Sequence, residues 1–126
     1  MTDRAAFLVQ VIDDDAAVRE SLEALLVVAG HPVSLYGSAE DFLADGAGAA
    51  GGCILLDLHM PGLGGLGLLE VLQDRADVPP VIVLTAAREQ ALHERAEDLG
   101  ARSVLTKPVT LATLLEAIAA LGAQQV

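Results

Sequence analysis

Cys53-Ile54-Leu55-Leu56-Asp57-Leu58-His59-Met60-Pro61-Gly62 lies near the middle of the 126-residue chain. Four apolar residues run directly into an acid, and a Pro-Gly pair follows. A short, continuous apolar run bounded by turn signals predicts a strand buried on both faces, as in a parallel sheet. Asp57 then stands where the strand ends and its loop begins. In open α/β sheets this carboxyl edge is where ligands bind. An acid after a strand can equally be a turn-former bonding its own backbone. What decides between these readings is the chemistry that the other strands bring to the same edge.

Working outward, the same strand-then-helix pattern repeats on both sides. Upstream, Phe7 to Ile12 predicts a first buried strand, with Gln10 its only polar member, ending in Asp13-Asp14-Asp15. A helix follows over 16–29, with Val18, Leu22, Leu25, Leu26 and Ala29 on one face and Gly30 as its stop. His31-Pro32 leads into a strand from Val33 to Tyr36, and Ser38 caps a helix reaching about Leu43, with Asp41 placed as in a capping box. The Gly- and Ala-rich segment from Asp45 to Gly52 predicts a loop.

Downstream, a glycine-rich loop precedes a helix from about Leu66 to Arg75. Pro79-Pro80 introduces the apolar strand Val81 to Leu84, ending at Thr85. A helix over about 88–99 carries a thin apolar face, Ala91, Leu92, Ala96 and Leu99, and Gly100 closes it. Ser103 to Thr106 is a last strand, ending at Lys107-Pro108. Thr110 caps a final helix with Leu111, Leu114, Leu115, Ile118 and Leu121 on one side. Strand and helix alternate five times with short connections, which predicts a single α/β domain over 1–126. A doubly wound five-stranded parallel sheet in the order 2-1-3-4-5 is the simplest arrangement, since a closed barrel needs eight strands.

Composition narrows the class. The 126 residues suit one hydrophobic core, and only Phe7, Tyr36 and Phe42 are aromatic, so Leu, Val, Ile and Ala must fill it. No apolar run is long enough to cross a bilayer, and Met1 to Arg4 does not begin a signal peptide. The one cysteine, Cys53, sits in an apolar run and predicts core packing in a reducing compartment, hence a cytoplasmic protein. A formal net charge of −11 argues against direct nucleic-acid contact and against docking on an anionic membrane.

In the 2-1-3-4-5 order the strand ends gather Asp13 and Asp14, Asp57, Thr85 and Lys107 at one rim. Three crowded carboxylates repel one another unless a cation joins them. Oxygen-only donors in a partly open site suit Mg²⁺ with a phosphate co-ligand. A hydroxyl and an ammonium beside them can hold phosphoryl oxygens, the positioning that phosphoryl transfer needs. Taken singly, each has a plainer reading: Asp14 or Asp15 as a helix cap, Thr85 as a turn residue and Lys107 as a surface lysine.

Several motifs together carry a resemblance. Val11-Ile12-Asp13-Asp14-Asp15 with Val18-Arg19, Leu56-Asp57 with Met60-Pro61-Gly62 and Gly65, Leu84-Thr85-Ala86, and Gly100-Ala101 before Lys107-Pro108 resemble the receiver domain of two-component response regulators. The Val-Arg-Glu-Ser-Leu and Ser-Ala-Glu-Asp-Phe-Leu runs look most like receivers of regulators with a helix-turn-helix output domain. The resemblance covers nearly the whole chain and implies a flavodoxin-like fold.

It also implies roles. Asp57 matches the phosphoacceptor, and Asp13 and Asp14 match the acidic pair at Mg²⁺, with Asp14 the direct ligand and Asp13 acting mainly through water. The His59 backbone carbonyl matches a further metal ligand, Thr85 the hydroxyl that moves to the phosphoryl group, and Lys107 its counter-ion. The implied phosphoryl donor is a sensor histidine kinase or a phosphotransfer protein. Transfer and slow hydrolysis would be self-catalysed, with no separate substrate turned over. An output partner is implied but not named, and a phosphorylation-dependent homodimer stays open. Two positions depart from the family: Val104 stands where an aromatic switch residue is common, and Val109 follows the Lys-Pro pair where Phe is common.

Competing readings are weaker. Gly62-Leu63-Gly64-Gly65-Leu66-Gly67 matches the dinucleotide-binding G-x-G-x-x-G, but Asp57 and Pro61 separate the strand from the glycines, and the next strand ends in Thr85, not an acid. An aspartyl-phosphate phosphatase needs a second acid two residues after its nucleophile, where this chain has His59. A degenerate receiver acting only as a binding module would not need the complete set Asp13, Asp14, Asp57, Thr85 and Lys107. His31 reads as a turn residue, His93 as a helix-surface residue, and His59 as a side chain overhanging the rim.

Overall fold

The apolar runs of the sequence form the centre of a parallel sheet. The computed structural model describes residues 7–45 and 52–124. Strands β1 Val9–Ile12, β2 Val33–Tyr36, β3 Cys53–Asp57, β4 Val81–Thr85 and β5 Ser103–Thr106 alternate with helices α1 Ala16–Val28, α2 Ala39–Ala44, α3 Gly64–Gln73, α4 Gln90–Asp98 and α5 Leu111–Gln124. The sheet order is β2-β1-β3-β4-β5, and every pairing is parallel. Residues β1, β3 and β4 contribute to the sheet are buried throughout, as strands covered on both faces must be.

Two cores result. Leu26 of α1 and Leu114, Ile118 and Leu121 of α5 pack on Val9, Val11, Leu55, Ile82 and Leu84 on one face. On the other, Phe42 of α2, Leu68, Leu69 and Leu72 of α3 and Ala96 of α4 pack on Ile12, Ile54, Leu56 and Val83. Cys53 lies in the first of these cores, and burial pushes its thiol up to about 12, as expected of an inert packing residue. Among the described residues, no helix is long and apolar enough to cross a membrane.

Element boundaries shift from the sequence expectations for identifiable reasons. β1 starts at Val9, not Phe7. The Phe7 ring instead meets His31 edge-on at 5.9 Å, and the Phe7 carbonyl lies 3.2 Å from His31 Nδ1, so His31 is more than a turn residue. α1 ends one residue early, with Leu25 and Ala29 exposed and only Leu26 of its apolar stripe fully buried.

α3 starts at Gly64, not Leu66, because Gly62 and Gly64 adopt positive φ and bring the chain into the helix sooner. It ends at Gln73, where Asp74 and Arg75 bond the carbonyls three residues back and the α-helical pattern tightens. α4 spans only Gln90 to Asp98; its N-terminal residue Glu89 is extended and offers no side-chain cap. Ala91 and Leu111, expected on apolar faces, are exposed. The expected 45–52 loop falls between 46 and 51 outside the described residues, as does the N-terminal segment 1–6.

Candidate functional site

Asp57 and Thr85 are the last residues of β3 and β4, and Asp13 directly follows β1, so the strand register alone brings them to one rim. Ile12 pairs with Leu56, and Asp57 pairs with Leu84, which aligns the three strand ends. The Asp triplet divides its labour. Asp15 caps α1, its carboxylate accepting from Ala17 N–H at 2.9 Å and from Val18 N–H at 3.3 Å. Asp13 and Asp14 are left for the rim.

Each of Asp13, Asp14 and Asp57 offers a carboxylate oxygen within 4.8 Å of the others, with Asp13 and Asp57 buried and Asp14 exposed. Such a cluster can hold a metal ion, and its hard oxygen donors fit Mg²⁺ better than a soft or imidazole-seeking metal. Lys107 Nζ lies 3.4 Å from Asp13 Oδ2 and 3.7 Å from Asp57 Oδ2, so one ammonium bridges two carboxylates. Its backbone is tied to the neighbouring strand through Lys107 N–H to the Thr85 carbonyl at 2.8 Å.

Burial raises the Asp57 carboxyl above its ordinary value, and the Asp13 charge acts in the same direction. The His59 N–H, which donates to Asp57 Oδ1 at 3.2 Å, and the charges of Lys107 and His59 pull the other way. The His59 side chain itself is exposed at the rim. Thr85 is fully buried, and its Oγ1 accepts from Ala87 N–H at 3.1 Å. That bond ties the hydroxyl oxygen to the β4–α4 loop. His93 is also drawn into this loop: its Nε2 lies 2.7 Å from the Ala87 carbonyl, so it is not a free helix-surface residue.

The glycines of the β3–α3 loop serve geometry. A Cβ on Gly65 would stand 2.6 Å from the Asp57 carbonyl oxygen, so only glycine lets α3 pack so closely behind the acid. Gly62, at φ +77°, faces Glu40, whose carboxylate accepts from Leu63 N–H at 2.8 Å. This bond lowers the Glu40 carboxyl from its ordinary value and ties the residue before α3 to another helix. Sequence reasoning missed Glu40 because its partner lies 23 residues away. It also saw Arg19 only as part of a motif, although Arg19 Nη1 donates to the Asp13 carbonyl at 2.7 Å.

The family model for the response regulator receiver domain matches residues 9–119. The transcriptional regulatory protein FixJ of Azorhizobium caulinodans is 44% identical over 112 residues, covering 89% of this chain and 53% of that protein. The response regulator protein TodT of Pseudomonas putida is 35% identical over 120 residues, covering 95% of this chain and 52% of TodT. The chain thus spans about half the length of the curated relatives it matches. Among solved structures, the crystal structure of FixJ-N superposes with a TM-score of 0.85 at 33% identity, covering 96% of this chain and 94% of that one. Sheet order, rim chemistry and these matches agree: the chain belongs to the response regulator receiver domain family.

Proposed function

We propose that the whole chain, 1–126, is one receiver domain that accepts a phosphoryl group on Asp57 from a histidine kinase or a phosphotransfer protein. The observation that carries this reading is the meeting of Asp13, Asp14 and Asp57 within 4.8 Å, with Lys107 bridging Asp13 and Asp57. Asp57 is the nucleophile: a carboxylate oxygen attacks phosphorus, the bond to the donor imidazole breaks, and an acyl phosphate forms. Burial favours this step, since it strips water from the carboxylate and strengthens every charge interaction around it.

The carboxylates of Asp13, Asp14 and Asp57, with the His59 carbonyl, would hold one Mg²⁺, which supplies charge neutralisation for the transferring group. Lys107 already contacts Asp57 and would keep contact with the phosphoryl oxygens once Asp57 is esterified. Thr85 would release Ala87 N–H and donate its hydroxyl to a phosphoryl oxygen, shifting the β4–α4 loop. Val104 is β-branched and half-buried against the α3–α4 core, so the switch runs through Thr85 and α4 without an aromatic rotor.

The domain turns over no separate substrate, and its transfer and slow hydrolysis are self-catalysed. It acts in the cytoplasm and reaches its output through a partner or output domain, with phosphorylation-dependent pairing of two copies one route. The similarity to proteins named as transcriptional regulators supports a helix-turn-helix output domain in the same polypeptide, and direct DNA contact by the acidic receiver itself is not part of the proposal. The test is incubation with acetyl phosphate and Mg²⁺, followed by mass measurement. One phosphoryl group should be added, and Asp57→Asn or chelation should prevent it. Undiminished labelling of Asp57→Asn would overturn the assignment.

A further inference from the structure

The three rim carboxylates are not held alike. Asp13 accepts from Asp15 N–H at 2.9 Å and faces Lys107, while Asp57 accepts from His59 N–H and also faces Lys107. Asp14 is exposed, and among the described residues no donor bonds its carboxylate. Its backbone therefore alone sets where that carboxylate starts from.

The peptide between Asp13 and Asp14 is planar, so fixing the Asp13 carbonyl oxygen also fixes the Asp14 nitrogen and Cα. Arg19 fixes it. Its guanidinium, half-buried on α1, donates to that carbonyl at 2.7 Å, a charge-assisted bond of the stronger kind. The other side of Asp13 is tied to β2 through Asp13 N–H to the Tyr36 carbonyl at 3.1 Å. Gly37 leaves the guanidinium its place, since a Cβ there would stand 3.3 Å from Arg19 Nη1.

We propose that Arg19 is a positioning residue for the divalent-cation site: by holding the Asp13 carbonyl it aims the Asp14 carboxylate at the cation. The inference rests on reading Asp13, Asp14 and Asp57 as that site. It makes a prediction of definite sign. A guanidinium beside an acidic cluster repels a dication, so removing its charge alone would tighten cation binding. Removing its positioning bond weakens binding instead.

The experiment titrates Mg²⁺ into the ¹⁵N-labelled full chain and follows the amides of residues 13–15 and 57–59. It compares the native protein with Arg19→Met, which keeps the stem and loses the donor, and Arg19→Lys, which keeps a single shorter donor. Loss of a residue that orients a metal ligand costs about tenfold in affinity, so Arg19→Met should bind Mg²⁺ about tenfold more weakly. Arg19→Lys should fall between it and the native protein. Unchanged or tighter binding in folded Arg19→Met overturns the inference. Should Arg19→Met not fold, Arg19→Lys decides, and binding equal to or tighter than native overturns it. Absence of any saturable Mg²⁺ response in the native protein overturns the cation-site reading, and the inference with it.

Discussion

α3 and α4 flank the same face of the sheet, and each follows a strand that ends in a site residue, Asp57 for α3 and Thr85 for α4. They are anchored very differently. α3 buries Gly65, Leu68, Leu69 and Leu72, is pressed against the Asp57 carbonyl through Gly65, and is tied to α2 where the Leu63 N–H before it donates to Glu40. α4 buries only Ala96. Its start is held by a chain of single bonds from Thr85 through Ala87 to His93. Elements with few buried apolar contacts open most readily, so a signal arising at this rim should be read out by α4 while α3 holds the nucleophile still.

Truncating one apolar side chain in each helix should separate them most. Leu68 is fully buried, and Leu68→Ala should cost about 2–5 kcal/mol of stability. Leu92 of α4 is half-buried, and Leu92→Ala should cost about 1 kcal/mol or less. Denaturant midpoints measure both, and equal costs would remove the asymmetry.

A second effect concerns the acid that α3 backs. The folded protein holds the Asp57 carboxyl above its ordinary value, chiefly through burial, so it binds that proton more tightly than the unfolded chain does. Stability from this group is present at low pH and is lost as pH rises from the ordinary Asp range through the raised value. Asp57→Asn cannot ionise, so without divalent cation its thermal advantage over the native protein should grow between acid and neutral pH. Roughly 1 kcal/mol is the scale expected, as for most single substitutions. A melting-temperature difference that is flat or shrinks with pH would contradict the burial argument.

The smallest effect is at the bond between Glu40 and the Leu63 amide. Glu40→Ala should leave the melting temperature nearly unchanged while exposing the Leu63 amide to faster hydrogen exchange, because the bond it removes lies at the surface. Retained protection at Leu63 would mean that Glu40 does not hold the entry to α3.

The sheet order and the rim residues were legible because they depend on strand ends, which apolar runs and turn residues mark plainly: Ile54-Leu55-Leu56-Asp57 and Ile82-Val83-Leu84-Thr85 say where the chain leaves the core. The glycine-rich loop was legible as a loop but not in its detail. That Gly65 touches the Asp57 backbone follows from the packing of α3, and no spacing in the sequence states it. Arg19 and Glu40 were opaque for a related reason. Both act through main-chain atoms of another segment, and the partner residue's identity carries no trace of such a bond. The reach of His93 to Ala87 likewise depends on where α4 begins, and helix starts without a cap residue leave a weak signal.

Phosphorylation of Asp57 should be read through Thr85 into α4 and not into α3. Amide hydrogen exchange, measured residue by residue with and without acetyl phosphate in the presence of Mg²⁺, tests it directly. The account predicts altered exchange across residues 86–98, with residues 64–73 unchanged. Changes confined to the 57–63 loop, or of equal size in α3 and α4, would contradict it.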